Sequence, residues 1–182
     1  MPADDGSAAA TLPTAPPAPP GPKPRLVVDT MELENFKSYF GVVKIGPFNK
    51  SMTCVIGPNG SGKSNVIDSA LFGFGFNAKD MRQENALGLI HHSSQHSDVA
   101  FARVSINFQL IIDRDGQCDV VEGSEFTLSR RIERQVGKDG KDVAKLSYTV
   151  AQRTPKGEWR EKSAERKEVR ELLLGHGIDL DH

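Results

Sequence analysis

At 182 residues with 37% hydrophobic content, the chain is long enough for one domain with a buried core, and its formal net charge of −1 assigns it no class of partner. Its two cysteines, Cys54 and Cys118, argue against a disulfide framework or a zinc site and fit a reducing compartment. No stretch approaches the apolar length that crosses a bilayer, so no membrane partner is expected. Residues 1–24 are dominated by Pro and Ala, and beyond Met1 their one large apolar residue is Leu12. Such a segment cannot bury enough surface to offset its ordering entropy, so a disordered or polyproline-like tail is expected. It has neither the basic start nor the unbroken apolar run of a secretory signal.

The folded part begins at Arg25. Residues 26–36 (LVVDTMELENF) alternate between apolar and polar like a strand with one buried face, and 42–45 (VVKI) form a second short strand. The run 51–56 (SMTCVI) reads as an apolar strand that ends abruptly in GPNGSGKS. A helix follows at once, with Val66, Ile67, Ala70, Leu71 and Phe74 at helical spacing and an end near Gly75. The second half changes character. Phe101–Ile112 reads as a strand, followed by a turn at Asp113–Gly116. In 125–135, Phe126, Leu128, Arg130 and Ile132 alternate with Thr127, Ser129, Arg131 and Glu133, and Ala144–Gln152 is another strand after the Lys138–Lys141 turn. A third turn at Thr154–Gly157 completes an antiparallel meander. From about Ser163, as its cap, a last helix carries Val169, Leu172 and Leu173 and stops at Gly175. The fold class is therefore α/β: a mixed sheet around the loop-bearing helix, flanked by the antiparallel meander.

The chemistry is concentrated in Gly57, Pro58, Asn59, Gly60, Ser61, Gly62, Lys63 and Ser64, which match G-x-x-x-x-G-K-[ST] at every fixed position. With glycine at about 7% of residues, chance would produce that match in fewer than about 1% of chains this long. Each residue type has a physical reason. Backbone N–H groups must close around phosphate oxygens, and side chains would block the approach. The helix that follows adds its N-terminal partial positive charge. Lys63 can reach the β- and γ-phosphates, and the Ser64 hydroxyl can ligate Mg2+. ATP with Mg2+ is the expected ligand. A hydrolase of this class also needs an acidic residue closing a neighbouring apolar strand. Asp113, after Leu110–Ile112, is the one candidate, and it reads better as the ordinary opening residue of its turn. Catalytic residues therefore remain unassigned in this chain.

The segments Asn35–Tyr39, IGPFNKS and GPNGSGKSNVIDS resemble the N-terminal head segment of structural-maintenance-of-chromosomes (SMC) proteins, and the resemblance runs over roughly residues 25–182. LFGFGFNAKDMR, LIHHSSQHSDV and GHGIDLDH resemble the condensin branch of that family more than the cohesin branch. The resemblance implies an ABC-type ATPase head that is split in sequence. The N-terminal half supplies the phosphate loop, and a distant C-terminal half supplies the signature and the acidic magnesium strand. Implied partners are the C-terminal half-head of the same protein, the second-type SMC subunit of condensin, the kleisin and HEAT-repeat subunits, and DNA held by its backbone. Implied locations are the nucleus and chromosomes, with cytoplasm between divisions. The chain would be an ATPase as part of a complete two-head assembly and inactive alone. A cohesin-type or DNA-repair ABC ATPase, and a self-contained P-loop kinase, are the competing readings.

By the same resemblance Lys37 and Ser38 lie beside the nucleotide, Asn65 helps shape the phosphate site, and Arg82 faces the phosphates, although its spacing differs by about one residue from some members. An ordinary polar turn is the competing reading for Lys37 and Ser38. His91, His92 and His96 crowd together without an accompanying ligand pattern and read as a polar loop. Residues 129–170 hold thirteen basic residues against seven acidic ones, enough to favour phosphate-backbone contact if the charges share a face. The residues alone read rather as a solvated surface of mixed charge, and it is the resemblance that implies DNA contact.

Overall fold

A computed structural model describes residues 22–114, 116–154 and 156–180; the expected tail, up to residue 21, lies outside them. Among the described residues, seven strands form one sheet. They are β1 (Arg25–Glu34), β2 (Val42–Ile45), β3 (Phe101–Arg114), β4 (Gln117–Val120), β5 (Phe126–Val136), β6 (Asp142–Arg153) and β7 (Trp159–Ala164). The order is β2-β1-β3-β5-β6-β7, with β4 pairing β3 outside that path, and every pairing is antiparallel. Helix α1 (Lys63–Phe74) and helix α2 (Arg166–Gly175) pack on it, with short 3-10 turns at Ala78–Met81 and Ala86–Leu89.

The register explains the two faces. Leu33 pairs with Val104, and Met31 with Ile106. Ile106 pairs with Leu128, and Leu128 with Val150, so these side chains point the same way. All six are buried, and Phe72 of α1 with Val169 and Leu173 of α2 closes over the same core. The opposite face is polar. Thr127 Oγ1 donates to Asn107 Oδ1 at 2.7 Å, and Asn107 Nδ2 donates to Thr30 Oγ1 at 2.8 Å, so its buried groups satisfy one another. One packed face and one hydrated face is the ordinary arrangement of an antiparallel sheet.

Three expectations need correction. The apolar run 51–56 is not a strand: it pairs with none of the described strands and is exposed throughout. Met52 is 78% and Ile56 85% exposed. A strand rich in β-branched residues still needs a neighbour for its backbone, and the described residues offer it none. The buried side of α1 is Asp68, Ser69, Phe72 and Gly73, with Val66, Ala70, Leu71 and Phe74 only partly covered and Ile67 54% exposed. This helix is apolar on two sides, and the sheet covers one. Ser163 lies in β7, and α2 starts at Arg166 behind Glu165, whose backbone N–H donates to Glu168 Oε2 at 2.8 Å in a reciprocal cap.

The phosphate loop and its surroundings

Residues 57–62 run as an exposed loop into the first turn of α1. Gly60 and Gly62 hold φ of 81° and 90°, a left-handed backbone that side chains resist. At Gly57 a Cβ would stand 2.7 Å from Ser61 Oγ, an exposed hydroxyl that can rotate away. Gly62 caps α1 without any side-chain hydrogen bond, and no acidic residue sits in the first turn. The Asn65 N–H donates to Gly62 O at 2.9 Å, and no side chain caps the amides of Lys63 and Ser64 ahead of it, which can receive an anion. Lys63 Nζ folds back over the loop, donating to Gly57 O at 2.5 Å and Pro58 O at 2.6 Å. Ser64, beside it in the first turn, is exposed. An amine, an open hydroxyl and a helix start without a side-chain cap suit a phosphate chain with a hard, oxygen-seeking cation such as Mg2+.

The turn after β1 closes on this loop. Asn65 Nδ2 donates to Ser38 Oγ at 2.7 Å, and Tyr39 Oη donates to Gly62 O at 3.4 Å. Lys37 behaves differently. Its ammonium is largely buried, 2.5 Å from Asp68 Oδ2 and 3.0 Å from Met81 O. Arg82 approaches the same carboxylate, with Nη2 at 3.6 Å, and its side chain stays 71% exposed. The structure therefore brings Ser38, Asn65 and the loop together, and places Lys37 and Arg82 one layer out, joined through Asp68. Asp68 and Tyr39 are absent from the residues singled out in the sequence. A lone Asp inside a helix reads as solvated surface, and the one signal against that is its place four residues before Phe72 on the buried side.

The other candidates fall elsewhere. Asp113 is exposed at the end of β3, its carboxylate held by Arg25 Nε at 2.6 Å and Cys118 Sγ at 3.1 Å. Those hydrogen bonds, Arg25 first, lower its pKa to about 2. Of the histidines, His91 is buried and its Nδ1–H donates to Lys37 O at 2.7 Å, while the His96 ring stacks on Phe40. Arg130 leaves the basic region for the core. Five other cations of that region, Arg131, Arg134, Arg153, Lys162 and Lys167, lie within 4.0 Å of carboxylates, so its net positive surface is diluted. A cavity of about 670 Å³ lies at the far end of α1, lined by Phe74, Tyr148 and Arg166 among others, away from the loop. The loop itself is open surface.

An antiparallel sheet packed against a helix that a glycine-rich loop leads into fits the α/β fold of ABC-type ATPase heads. The comparisons agree. A match to the RecF/RecN/SMC N terminal domain covers residues 27–181. Structural maintenance of chromosomes protein 4 of Xenopus laevis is 44% identical over 160 residues, spanning 87% of this chain and 11% of that protein. The Saccharomyces cerevisiae protein of the same name is 40% identical over 158 residues, 87% of this chain and 10% of that one. Among solved structures, an SMC ATPase described for ATP-driven dimerization and DNA stimulated activation aligns with a TM-score of 0.61 at 32% identity, over 85% of this chain and 81% of that chain. The Pyrococcus furiosus Smc head domain bound to the C-terminal domain of ScpA aligns at 0.62 and 30%, over 86% and 35%. The chain belongs to the SMC family, as an N-terminal head segment similar to those of the fourth SMC protein. It spans about a tenth of the length of those two curated relatives.

Proposed function

We propose that this chain is the ATP-binding half of a condensin-type SMC head, working in an assembly that couples ATP-dependent head engagement to chromosome condensation and DNA loop organisation. One observation carries the nucleotide part: Lys63 Nζ lies in the mouth of the Gly57–Ser64 loop, against the uncapped start of α1. Gly57–Ser64 and Asn65 would hold the phosphates, Ser64 the Mg2+, with Ser38, Lys37 and Arg82 around them. The ion would neutralise charge on the phosphates.

The partner is a C-terminal half-head of the same protein. The support is exposed apolar residues on both flanks of the loop, Met52, Val55 and Ile56 before it and Ile67 after it, which ask for cover. A second SMC subunit, kleisin and HEAT-repeat subunits and the DNA backbone follow from the family reading, as does a nuclear and chromosomal location. The test is Mg-ATP binding and hydrolysis by the chain alone and when co-purified with such a half-head, with Lys63→Ala as control. Binding that tightens on pairing and is lost in Lys63→Ala supports the reading. Folded, paired material that binds no ATP overturns it.

A further inference from the structure

The geometry assigns Asp68 a positioning role in the nucleotide site, acting through the turns that carry Ser38, Tyr39 and Arg82. The inference rests on the reading of Gly57–Ser64 as a nucleotide loop. Asp68 is 4% exposed, in the second turn of α1, where an unpaired carboxylate would be costly. Two cations answer it at the same oxygen, Oδ2, Lys37 at 2.5 Å and Arg82 at 3.6 Å. Both come from residues with left-handed backbones, φ 50° for Lys37 and 58° for Arg82, which non-glycine residues hold only when their surroundings insist. Lys37 is fixed further by its N–H donating to Leu89 O at 2.9 Å and by His91 donating to its carbonyl.

The consequences reach the loop within two residues. The turn that Lys37 anchors presents Ser38 to Asn65 and Tyr39 to Gly62. The turn that Arg82 ends carries a guanidinium still mostly in solvent. One carboxylate thus serves two cations, one buried and one spare. Arg82 can leave for a phosphate group while Lys37 keeps Asp68 compensated, so the arginine is held ready without being trapped. Lys37, by contrast, acts on the nucleotide through Asp68 and the Ser38 turn.

The experiment is a double-mutant cycle on Mg-ATP affinity, measured with a fluorescent ATP analogue on this chain paired with its C-terminal half-head. Asp68→Asn leaves the buried Lys37 ammonium without its carboxylate, and Lys37→Met leaves Asp68 with only the more distant Arg82 among the described cations, so each is expected to weaken binding by about tenfold. The double variant removes both charges and is expected to bind better than the product of the two losses allows. Independent losses, multiplying within about twofold, would mean that Lys37 contacts phosphate on its own and would overturn the inference. Asp68→Glu covers the case in which Asn at 68 prevents folding. It keeps the charge but moves it by one methylene, and is expected to weaken binding about threefold or more at an unchanged melting temperature. Unchanged affinity in Asp68→Glu overturns the inference as well. Lys63→Ala separates the two levels: loss there with no loss at Asp68 refutes the positioning role alone, and no loss at Lys63 refutes the nucleotide site.

Discussion

Replacing Arg130 by Met tests whether a buried cation clamps the far end of the loop-bearing helix. The Arg130 guanidinium, 4% exposed, sits on the apolar face of β5 between the rings of Phe72 at 4.5 Å and Tyr148 at 5.2 Å. Its Nη1 donates to Phe72 O at 2.9 Å and Phe76 O at 2.7 Å, carbonyls at and just past the C-terminus of α1. Among the described residues no carboxylate pairs with it, Nε has no partner, and burial pushes its pKa down. Two opposing magnitudes decide the sign. Hydrogen bonds from a charged donor contribute about 1.5–3 kcal/mol each. A buried ion carries a desolvation cost of several kcal/mol that Met does not. Met leaves the Phe76 carbonyl short of a donor at about 1–3 kcal/mol, whereas Phe72 O keeps the Gly75 N–H at 3.0 Å. Ring contacts with the cation add about 0.5–2 kcal/mol. The balance is a net loss of about 1–3 kcal/mol, or roughly 3–10 °C in melting temperature for a chain of this size. The assay is thermal unfolding followed by circular dichroism, with Arg130→Lys expected between the two. A Met variant that melts at or above the parent temperature would refute the clamp and show that the burial cost cancels it.

Gly73→Ala sets helix propensity against space. Alanine gains about 1 kcal/mol in a helix interior, but overpacking costs about 1–3 kcal/mol. The new Cβ would stand 2.5 Å from Ile106 Cδ1 and 2.9 Å from Cγ1, in a fully buried residue, so a lower melting temperature is expected. For Asp113, the lowered pKa means a small stabilisation that is present above the ordinary carboxylate range and is lost as pH falls toward about 2. Being exposed, the pair should shift the acid unfolding curve only slightly. A carbon-13 titration of Asp113 in Arg25→Gln should show it returning toward ordinary values, and no change would refute the pairing. Ile56→Thr should reduce aggregation of the isolated chain without lowering its melting temperature, because Ile56 is 85% exposed. A large drop in melting would place Ile56 in the core instead.

What is legible in the sequence follows from what each element needs. β1, β3, β5 and β6 alternate because one face is buried, and in β5 that alternation alone puts Arg130 on the same face as Phe126, Leu128 and Ile132. β7 is not legible because WREKSA has no apolar alternation: it is an exposed edge strand held by backbone pairing to β6. The run 51–56 has local strand character and no described neighbour to pair with, so propensity alone misleads there. The buried stripe of α1 is ambiguous because the helix is apolar toward two layers, and periodicity cannot say which layer is present. In the Gly57–Ser64 loop, Gly60 and Gly62 are legible because their left-handed backbones call for glycine. Asp68 is not, because its partners Lys37 and Arg82 come from distant turns and only the fold brings them together.

The most direct test of the central claim, a half-head whose loop segment is completed by another half, is hydrogen exchange at Thr53–Ile56. Measured on the chain alone and paired with a C-terminal half-head, these amides should exchange rapidly first and become protected on pairing, as a strand gaining ladder partners must. Amides that stay equally open in a stable, ATP-binding pair would contradict the account.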